Sequence, residues 1–256
     1  IRNHLPHSGC RQLHHLCAEY FGEKFVLGRD RFFDVLRSNG LMLRRKRYRP
    51  HTTNSNHPYR IYEDLLNTYP KYVPTSHGSL LVADITYVAT CEGFAYLSLL
   101  TDGYSRAIVG YALHPTLSSE GPLNALQMAL DFYRNRGIKT QGIIHHSDRG
   151  IQYASKEYTK KLLENQARIS MTQTGDPLHN ALAERMNNTI KNGWLYDCAE
   201  MDFEQARERV DRAIYSYNWM RPHQAINMKT PMQMFSQNNS NPILVVGHDQ
   251  PQEQNN

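Results

Sequence analysis

The chain has 256 residues, of which 40% are hydrophobic and 21% are charged, so it can bury the core of one medium-sized domain and a smaller one. The formal net charge is +5, and it is unevenly distributed. Residues 1–60 hold 12 Lys and Arg against 4 Asp and Glu, whereas residues 61–256 hold 17 against 20. This distribution predicts a polyanion-binding module that precedes a carboxylate-bearing one.

The composition argues against a membrane or secreted protein. No apolar run approaches the roughly 18 residues that a membrane helix requires, and the N-terminus has no hydrophobic signal-peptide core. The four cysteines include no Cys-x-x-Cys pair, which favours a reducing, cytoplasmic location over a disulfide framework. The chain begins at Ile rather than Met, as expected of part of a longer product.

Two short helices are predicted at the N-terminus, because apolar side chains recur with helical spacing over 11–21 and again over 28–38. Five cations follow them in six positions: Arg44, Arg45, Lys46, Arg47 and Arg49. The combination predicts a helix-turn-helix domain with a basic arm over residues 1–49, which contacts DNA phosphates. The alternative is a solvated basic linker.

A cluster of potential zinc ligands lies in the same region. Its members are His4, His7, Cys10, His14, His15 and Cys17. Structural zinc sites usually pair their ligands on two separated elements, whereas these six lie within fourteen residues. We therefore interpret them as surface histidines and a core thiol rather than as a zinc site.

A linker is predicted over residues 50–78, which are rich in turn-forming residues, although the apolar segment 61–66 could dock on the next domain. The following pattern predicts strands over 80–88, 94–100 and 107–113, connected as an antiparallel meander. After them we expect a helix over 118–136.

The second half of the domain alternates strands and helices. Strands are predicted over 142–146 and 169–171, and helices over 155–166, 180–191 and 203–220. This order predicts an α/β domain over residues 79–235, with a mixed sheet covered by helices on both faces. The polar tail, residues 236–256, is expected to be disordered.

Three carboxylates carry the predicted chemistry. Asp84 lies inside an apolar strand, where charged residues are rare, and Asp148 directly follows a strand. Glu184 lies on a predicted helix, on the same face as Asn188 and Lys191. If the three meet at one edge of the sheet, they can hold two Mg²⁺ ions about 4 Å apart, as in phosphodiester displacement. Mn²⁺ can replace Mg²⁺ at such a site.

Other interpretations of the carboxylates remain open. Asp102 is more simply a hairpin-turn residue, Asp176 a loop residue before Pro177, and Glu92 the tip of a turn. Taken alone, Asp84 could bond a neighbouring strand amide, and Glu184 could be an exposed helix charge beside Asn188.

The spacing and the surrounding motifs together resemble a known family. Between Asp148 and Glu184 there are 35 residues, and Lys191 follows seven positions later, which is similar to the DDE signature of retroviral integrases and insertion-sequence transposases. Further motifs resemble the orfB-type transposases of the IS-three family. They are found at 28–33, 39–41, 83–88, 104–111, 146–153, 180–187, 217–223 and 230–231.

The resemblance implies a ribonuclease-H-like fold with a five-stranded mixed sheet and a Mg²⁺-dependent polynucleotidyl transferase. Asp84, Asp148 and Glu184 match its metal-binding triad, and Asn188 and Lys191 match positions near the cleaved DNA end. The implied partners are double-stranded DNA, at the terminal inverted repeats and the target, and further copies of the chain in a synaptic complex. The implied location is the bacterial cytoplasm, in association with the nucleoid.

The roles of three residues beside the triad stay open. Arg185 could form an ion pair, and His145 and His146 could either support the metal ligands or simply pack in the strand. Two other functions also remain: a DNA-binding regulator that has lost activity, and a ribonuclease-H-type nuclease that acts on RNA–DNA hybrids.

Overall fold

The computed structural model describes residues 1–43, 58–67, 70–173 and 180–236. Its centre is a mixed sheet with the strand order β3-β2-β1-β4-β5. The strands are β1 (Leu80–Thr90), β2 (Gly93–Asp102), β3 (Ile108–His114), β4 (Ile144–Ser147) and β5 (Arg168–Met171). β1, β2 and β3 pair antiparallel, whereas β4 pairs parallel to β1 and to β5. The predicted five-stranded mixed sheet is confirmed.

The helices match the predicted order, with two additions. They are α1 (Cys10–Phe21), α2 (Arg29–Ser38), α3 (Glu120–Arg134), α4 (Ile151–Ala154), α5 (Lys156–Glu164), α6 (Ala181–Trp194), α7 (Phe203–Met220) and α8 (Pro231–Ser236). The short helices α4 and α8 were not predicted, because four and six residues show no helical periodicity of their own. Single 3₁₀ turns occur at Gly22–Lys24, Cys198–Glu200 and Gln224–Ile226.

Helices cover both faces of the sheet, as predicted. On one face, Leu81 and Ala83 of β1 pack with α3, α5 and α8 through residues such as Tyr133 and Phe235. β3 lies so close to α3 at Gly110 that a Cβ atom added there would come within 2.1 Å of the Ala125 carbonyl oxygen. On the other face, α6 and α7 bury a second apolar cluster against β2 and β3.

Alternation along β1 places Asp84 on the face that α6 covers. Leu80 and Val82 pack there with Ala183 of α6, and residue 84 follows them with the period of two that strands impose. Asp84 is therefore a charged residue that follows two apolar side chains on the same face. It lies below the helix that carries Glu184.

The N-terminal helices have a small core of their own and are also attached to the main domain. Leu13, Phe32 and Leu36 form that core between α1 and α2. The indole Nε1 of Trp194, at the end of α6, donates to the His4 carbonyl oxygen at 2.9 Å. The Gln12 side chain similarly donates to the Pro222 carbonyl oxygen at 2.7 Å.

The potential zinc ligands make ordinary protein contacts. A ring nitrogen of His14 lies 2.9 Å from the Leu27 carbonyl oxygen, and His15 faces Glu19 one helical turn away. Cys17 packs with the small N-terminal core, and all four cysteines are free thiols. None of these contacts draws the six residues together.

The segment that precedes the sheet docks on it. The Leu65 backbone N–H donates to Ser170 Oγ at 2.8 Å, and the Glu63 carbonyl oxygen accepts from the Met171 N–H at 3.3 Å, so this segment lies along β5. The basic arm, residues 50–57 and 68–69 of the predicted linker, Asp176 and the tail from residue 237 lie outside the described residues. Within the described ranges, none of the helices combines the length and apolar character that a membrane crossing requires.

Candidate active site

Two of the three predicted carboxylates lie side by side on neighbouring strands. The parallel register of β1 and β4 pairs Leu80 with Ile144 and Val82 with His146. Continuing that register by two residues brings Asp148 beside Asp84. Asp148 Oδ1 accepts the Gly150 backbone N–H at 2.9 Å, so the strand ends in an Asx turn that leads into α4.

Helix α6 brings the third carboxylate to the same place. It is fixed to β1 by two asparagines: Asn180 Nδ2 donates to the Ala83 carbonyl oxygen at 3.2 Å, and Asn187 Nδ2 donates to Asp84 Oδ2 at 2.7 Å. Glu184 lies between these asparagines, four residues after the first and three before the second. Residues with this spacing share one helix face, so Glu184 lies above β1 near Asp84.

The electrostatics of Asp84 indicate that Asp148 and Glu184 lie near it. Burial raises its pKa well above the usual value, and the negative charges of Asp148 and Glu184 raise the pKa further. Hydrogen bonds from the Ile85 backbone N–H and from Asn187 oppose this rise. The site therefore concentrates negative charge in a partly enclosed place, and a bound cation would relieve the repulsion.

The side chains are not arranged as a finished metal cage. Among the described residues, no group of three or more His, Cys, Asp or Glu side chains has the geometry to hold a metal ion. The predicted DNA-contacting residues lie further along α6, where Asn188 is exposed and Lys191 is half-buried. The predicted arm residues Arg44, Arg45, Lys46, Arg47 and Arg49 are outside the described part of the chain.

The two strand histidines are buried and bonded to protein groups. His145 Nε2 lies 2.9 Å from the Tyr158 hydroxyl, and His146 Nδ1 lies 2.8 Å from Ser170 Oγ. Burial, together with the neighbouring His146, lowers the pKa of His145 to about 3, so its ring stays neutral near pH 7. These contacts favour a packing role for both histidines.

Asp102, the main competing acid, has a different role. It is fully buried and accepts hydrogen bonds from four donors: the Gly78 N–H at 2.8 Å, the Ser105 N–H and Oγ at 2.7 Å each, and the Tyr133 hydroxyl at 2.9 Å. These bonds join the β2–β3 hairpin to α3 and to the segment before β1. Asp102 is thus a structural turn residue, as the sequence favoured.

Two residues of the site were missed by the sequence interpretation. Asn187 and Asn180 hold α6 against β1, whereas the sequence interpretation singled out Asn188. Both residues belong to the quoted motif 180–187, and the i+3 spacing of Asn187 from Glu184 is a usable indication of a shared face. The motif 217–223 has a structural role as well. Asn218 Oδ1 accepts from the Ile108 N–H at 2.9 Å, and Asn218 Nδ2 donates to the Ile108 carbonyl oxygen at 2.8 Å.

Comparison with known proteins agrees with the fold. Two protein families, each described as an integrase core domain, match residues 74–177 and 165–231. A chain in the cryo-EM structure of the simian T-cell lymphotropic virus intasome in complex with PP2A regulatory subunit B56 gamma has a TM-score of 0.55 and 17% identity. That match covers 98% of this chain and 78% of the other, and it supports the fold alone.

Three sequence relatives come from bacterial insertion elements. The insertion element IS600 uncharacterized 31 kDa protein of Shigella sonnei is 34% identical over 87% of this chain and 79% of its own length. Transposase InsF for insertion sequence IS3A of Escherichia coli K12 is 29% identical over 71% and 60%. The putative transposase for IS986/IS6110 of Mycobacterium tuberculosis H37Rv is 36% identical over 47% and 44%. The chain belongs to the insertion-sequence DNA transposases that have an integrase core domain.

Proposed function

We propose that this transposase cleaves DNA at the ends of its insertion sequence and joins the freed 3′-hydroxyl to target DNA. Asp84, Asp148 and Glu184 hold two Mg²⁺ ions in this proposal. The observation that carries it is the convergence of three like charges from two adjacent strands and one helix, which raises the pKa of Asp84 beyond the effect of burial.

The residues fit a hard divalent cation. All three donors are carboxylates, and oxygen-only donor sets suit Mg²⁺ and Mn²⁺. A cation placed between them offsets a repulsion that the protein alone leaves in place. Because the side chains are not arranged as a cage here, binding requires them to rotate toward a common centre.

The metal ions would lower the pKa of the attacking water or 3′-hydroxyl and stabilise the leaving oxygen. The chain's own residues fix the ligands. Asn187 and the Ile85 N–H hold one oxygen each of Asp84, while the Gly150 N–H holds Asp148. In this proposal Asn188 and Lys191, one and two turns beyond Glu184, contact DNA beside the cleaved bond.

The proposed partners follow from this chemistry. Double-stranded DNA enters as the terminal inverted repeats and as the target, and a homo-oligomer brings two ends together. The proposed place of action is the bacterial cytoplasm, on nucleoid DNA.

The decisive test is Asp148→Asn in the full chain, with a duplex that carries one terminal repeat of the element. We expect cleavage in Mg²⁺ to fall by about three orders of magnitude, because the change removes a metal ligand but no phosphate contact. DNA affinity, measured by fluorescence anisotropy, should change by less than about twofold. Asp131→Asn, which removes an acid from the surface of α3, serves as the control and should cleave normally.

Two results would contradict the proposal. One is parallel loss of cleavage and DNA binding in Asp148→Asn. The other is wild-type protein that binds the duplex but leaves it intact in Mg²⁺, which would favour a DNA-binding regulator. Faster cleavage of an RNA–DNA hybrid of the same sequence would instead indicate a ribonuclease-H-type nuclease.

The basic arm can be tested separately. Replacing Arg44, Arg45 and Arg47 with Gln should weaken DNA binding and reduce the slope of log K against log salt concentration by about one unit per lost phosphate contact. An unchanged slope would mean that the arm is only a linker. The same measurement tests the helix-turn-helix role proposed for residues 1–49.

A further inference from the structure

A cavity of about 400 Å³ lies outside the acid site, between two segments that are distant in sequence. One wall is the loop between β2 and β3, with Gly103, Tyr104 and Arg106. The other wall is the segment before α8, with Asn227 and Lys229. The volume is within the range of small-ligand sites and is sufficient for one nucleotide.

The backbone around the cavity is strained. Arg106, Asn227 and Met228 have positive φ angles of 67°, 56° and 62°, and only one other non-glycine residue in the described ranges shares this feature. Asn tolerates the left-handed region, but Arg and Met do so at a cost. Strain of this kind clusters at binding sites.

Specific contacts hold the strained segments in place. The Tyr217 hydroxyl donates to the Arg106 carbonyl oxygen at 2.9 Å. The His223 N–H donates to the Lys229 carbonyl oxygen at 2.9 Å, and the Met228 N–H donates to the His223 carbonyl oxygen at 2.8 Å. The shape of the cavity is therefore built into the fold by the motif 217–223.

The charge at this place is positive and incompletely paired. Arg106 lines the cavity, and its buried Nε has no hydrogen-bond partner. Burial lowers the pKa of Arg106, and the nearby positive charge of Arg185 lowers it further. Tyr217 and Asp102 oppose this lowering of the Arg106 pKa, but the Asp102 oxygens already accept hydrogen bonds from four other donors. An unmet cationic donor beside an open cavity favours an anionic ligand.

We infer that this cavity binds one phosphodiester-linked nucleotide of a DNA strand, with Arg106 and Lys229 donating to its phosphate and Tyr104 beside its sugar or base. The inference rests on the proposed function, since it assumes that DNA occupies the acid site. Arg185 connects the two places, because it follows Glu184 on α6 and lies near Arg106. A strand that leaves the acids along Arg185 would thus reach the cavity.

The test is the salt dependence of DNA binding, without divalent metal, for Arg106→Gln, Lys229→Gln and the double variant of the full chain. We expect the slope of log K against log salt to fall by about 0.9 for each lost contact. Affinity at low salt should weaken about tenfold for the double variant. Lys139→Gln, which removes an exposed cation that does not line the cavity, should keep the wild-type slope.

Folding must be separated from binding. Arg106→Lys combined with Lys229→Arg preserves both charges and should restore the slope, and thermal unfolding identifies any variant that does not fold. An unchanged slope in folded Gln variants would overturn the inference, as would an equal change in Lys139→Gln. Wild-type protein that binds DNA but does not cleave it would instead count against the proposed function alone.

Comparing two duplexes of equal length identifies the source of the nucleotide. A slope change confined to the terminal-repeat duplex assigns the cavity to the element end. A change of the same size on an unrelated duplex assigns it to DNA of any sequence, including the target. Either result supports the site.

Discussion

Two acids of the same sheet, Asp102 and Asp84, show how one residue type serves two purposes. Asp102 is fully buried at the end of β2 and accepts four hydrogen bonds. Asp84, in the middle of β1, accepts two and has the charges of Asp148 and Glu184 beside it. Asp84 is half-buried, so the two carboxylates differ both in exposure and in the groups around them.

The difference lies in what surrounds each charge. Donors around Asp102 satisfy the carboxylate within the protein, and their hydrogen bonds join the hairpin to α3 and to the segment before β1. Asp84 has two further acids beside it, and in the proposed function a bound cation offsets their mutual repulsion. Three measurements test this difference.

The largest effect is expected at the structural acid. Asp102→Asn places an amide –NH₂ opposite groups that are themselves donors, and it weakens the remaining bonds by removing the charge. We expect the free energy of unfolding to fall by about 3 kcal/mol, measured by urea denaturation. Asp131→Asn, on the surface of α3, should cost less than about 0.5 kcal/mol. Equal costs for the two variants would remove the distinction drawn for Asp102.

A smaller effect is expected at the asparagine that holds the functional acid. Asn187→Ala removes the donor to Asp84 Oδ2, so the carboxylate loses its fixed orientation. Cleavage should slow by about 10- to 100-fold, as for other residues that orient metal ligands, with DNA affinity unchanged. Asn192→Ala, an exposed position on the same helix, is the matched control. Equal rates for the two variants would show that Asn187 only packs.

The smallest effect is the response of stability to metal. Mg²⁺ at ten times its dissociation constant should add about 1.4 kcal/mol, which corresponds to a Tm increase of roughly 3–5 °C. Since the folded pKa of Asp84 is raised above the unfolded value, its carboxyl group favours the fold below the unfolded pKa and loses that contribution as pH rises. The Mg²⁺ response should therefore be larger at pH 8 than at pH 5. Asp148→Asn should show little response, and a wild-type Tm equal in EDTA and Mg²⁺ would contradict a metal site.

The sequence predicted the sheet and its long helices because their apolar residues repeat with a local period. The predicted bounds of α7 agree with the structure, and β1 differs only in extending from Val88 to Thr90. The convergence of the acids was also predictable, since Asp84 and Asp148 interrupt or end apolar strands. Family motifs guided the choice among competing carboxylates.

What the sequence could not predict depends on packing between distant segments. Asn187 and Asn188 both lie within one turn of Glu184, and only the rotation of α6 against β1 decides which of them reaches Asp84. The cavity brings Arg106 beside Asn227 and Lys229 through contacts of the motif 217–223. The local periodicity of the sequence does not indicate contacts between segments this far apart in the chain.

The attachment of the N-terminus to the end of α6 has a mechanical consequence. Trp194 bonds the His4 carbonyl oxygen, and it lies ten residues, or about 15 Å, along the same helix from Glu184. A continuous helix is stiff over that length. If the N-terminal helices bind DNA as proposed, a shift of this pair would be transmitted along α6 to Glu184, so that DNA binding would itself align the proposed metal ligand.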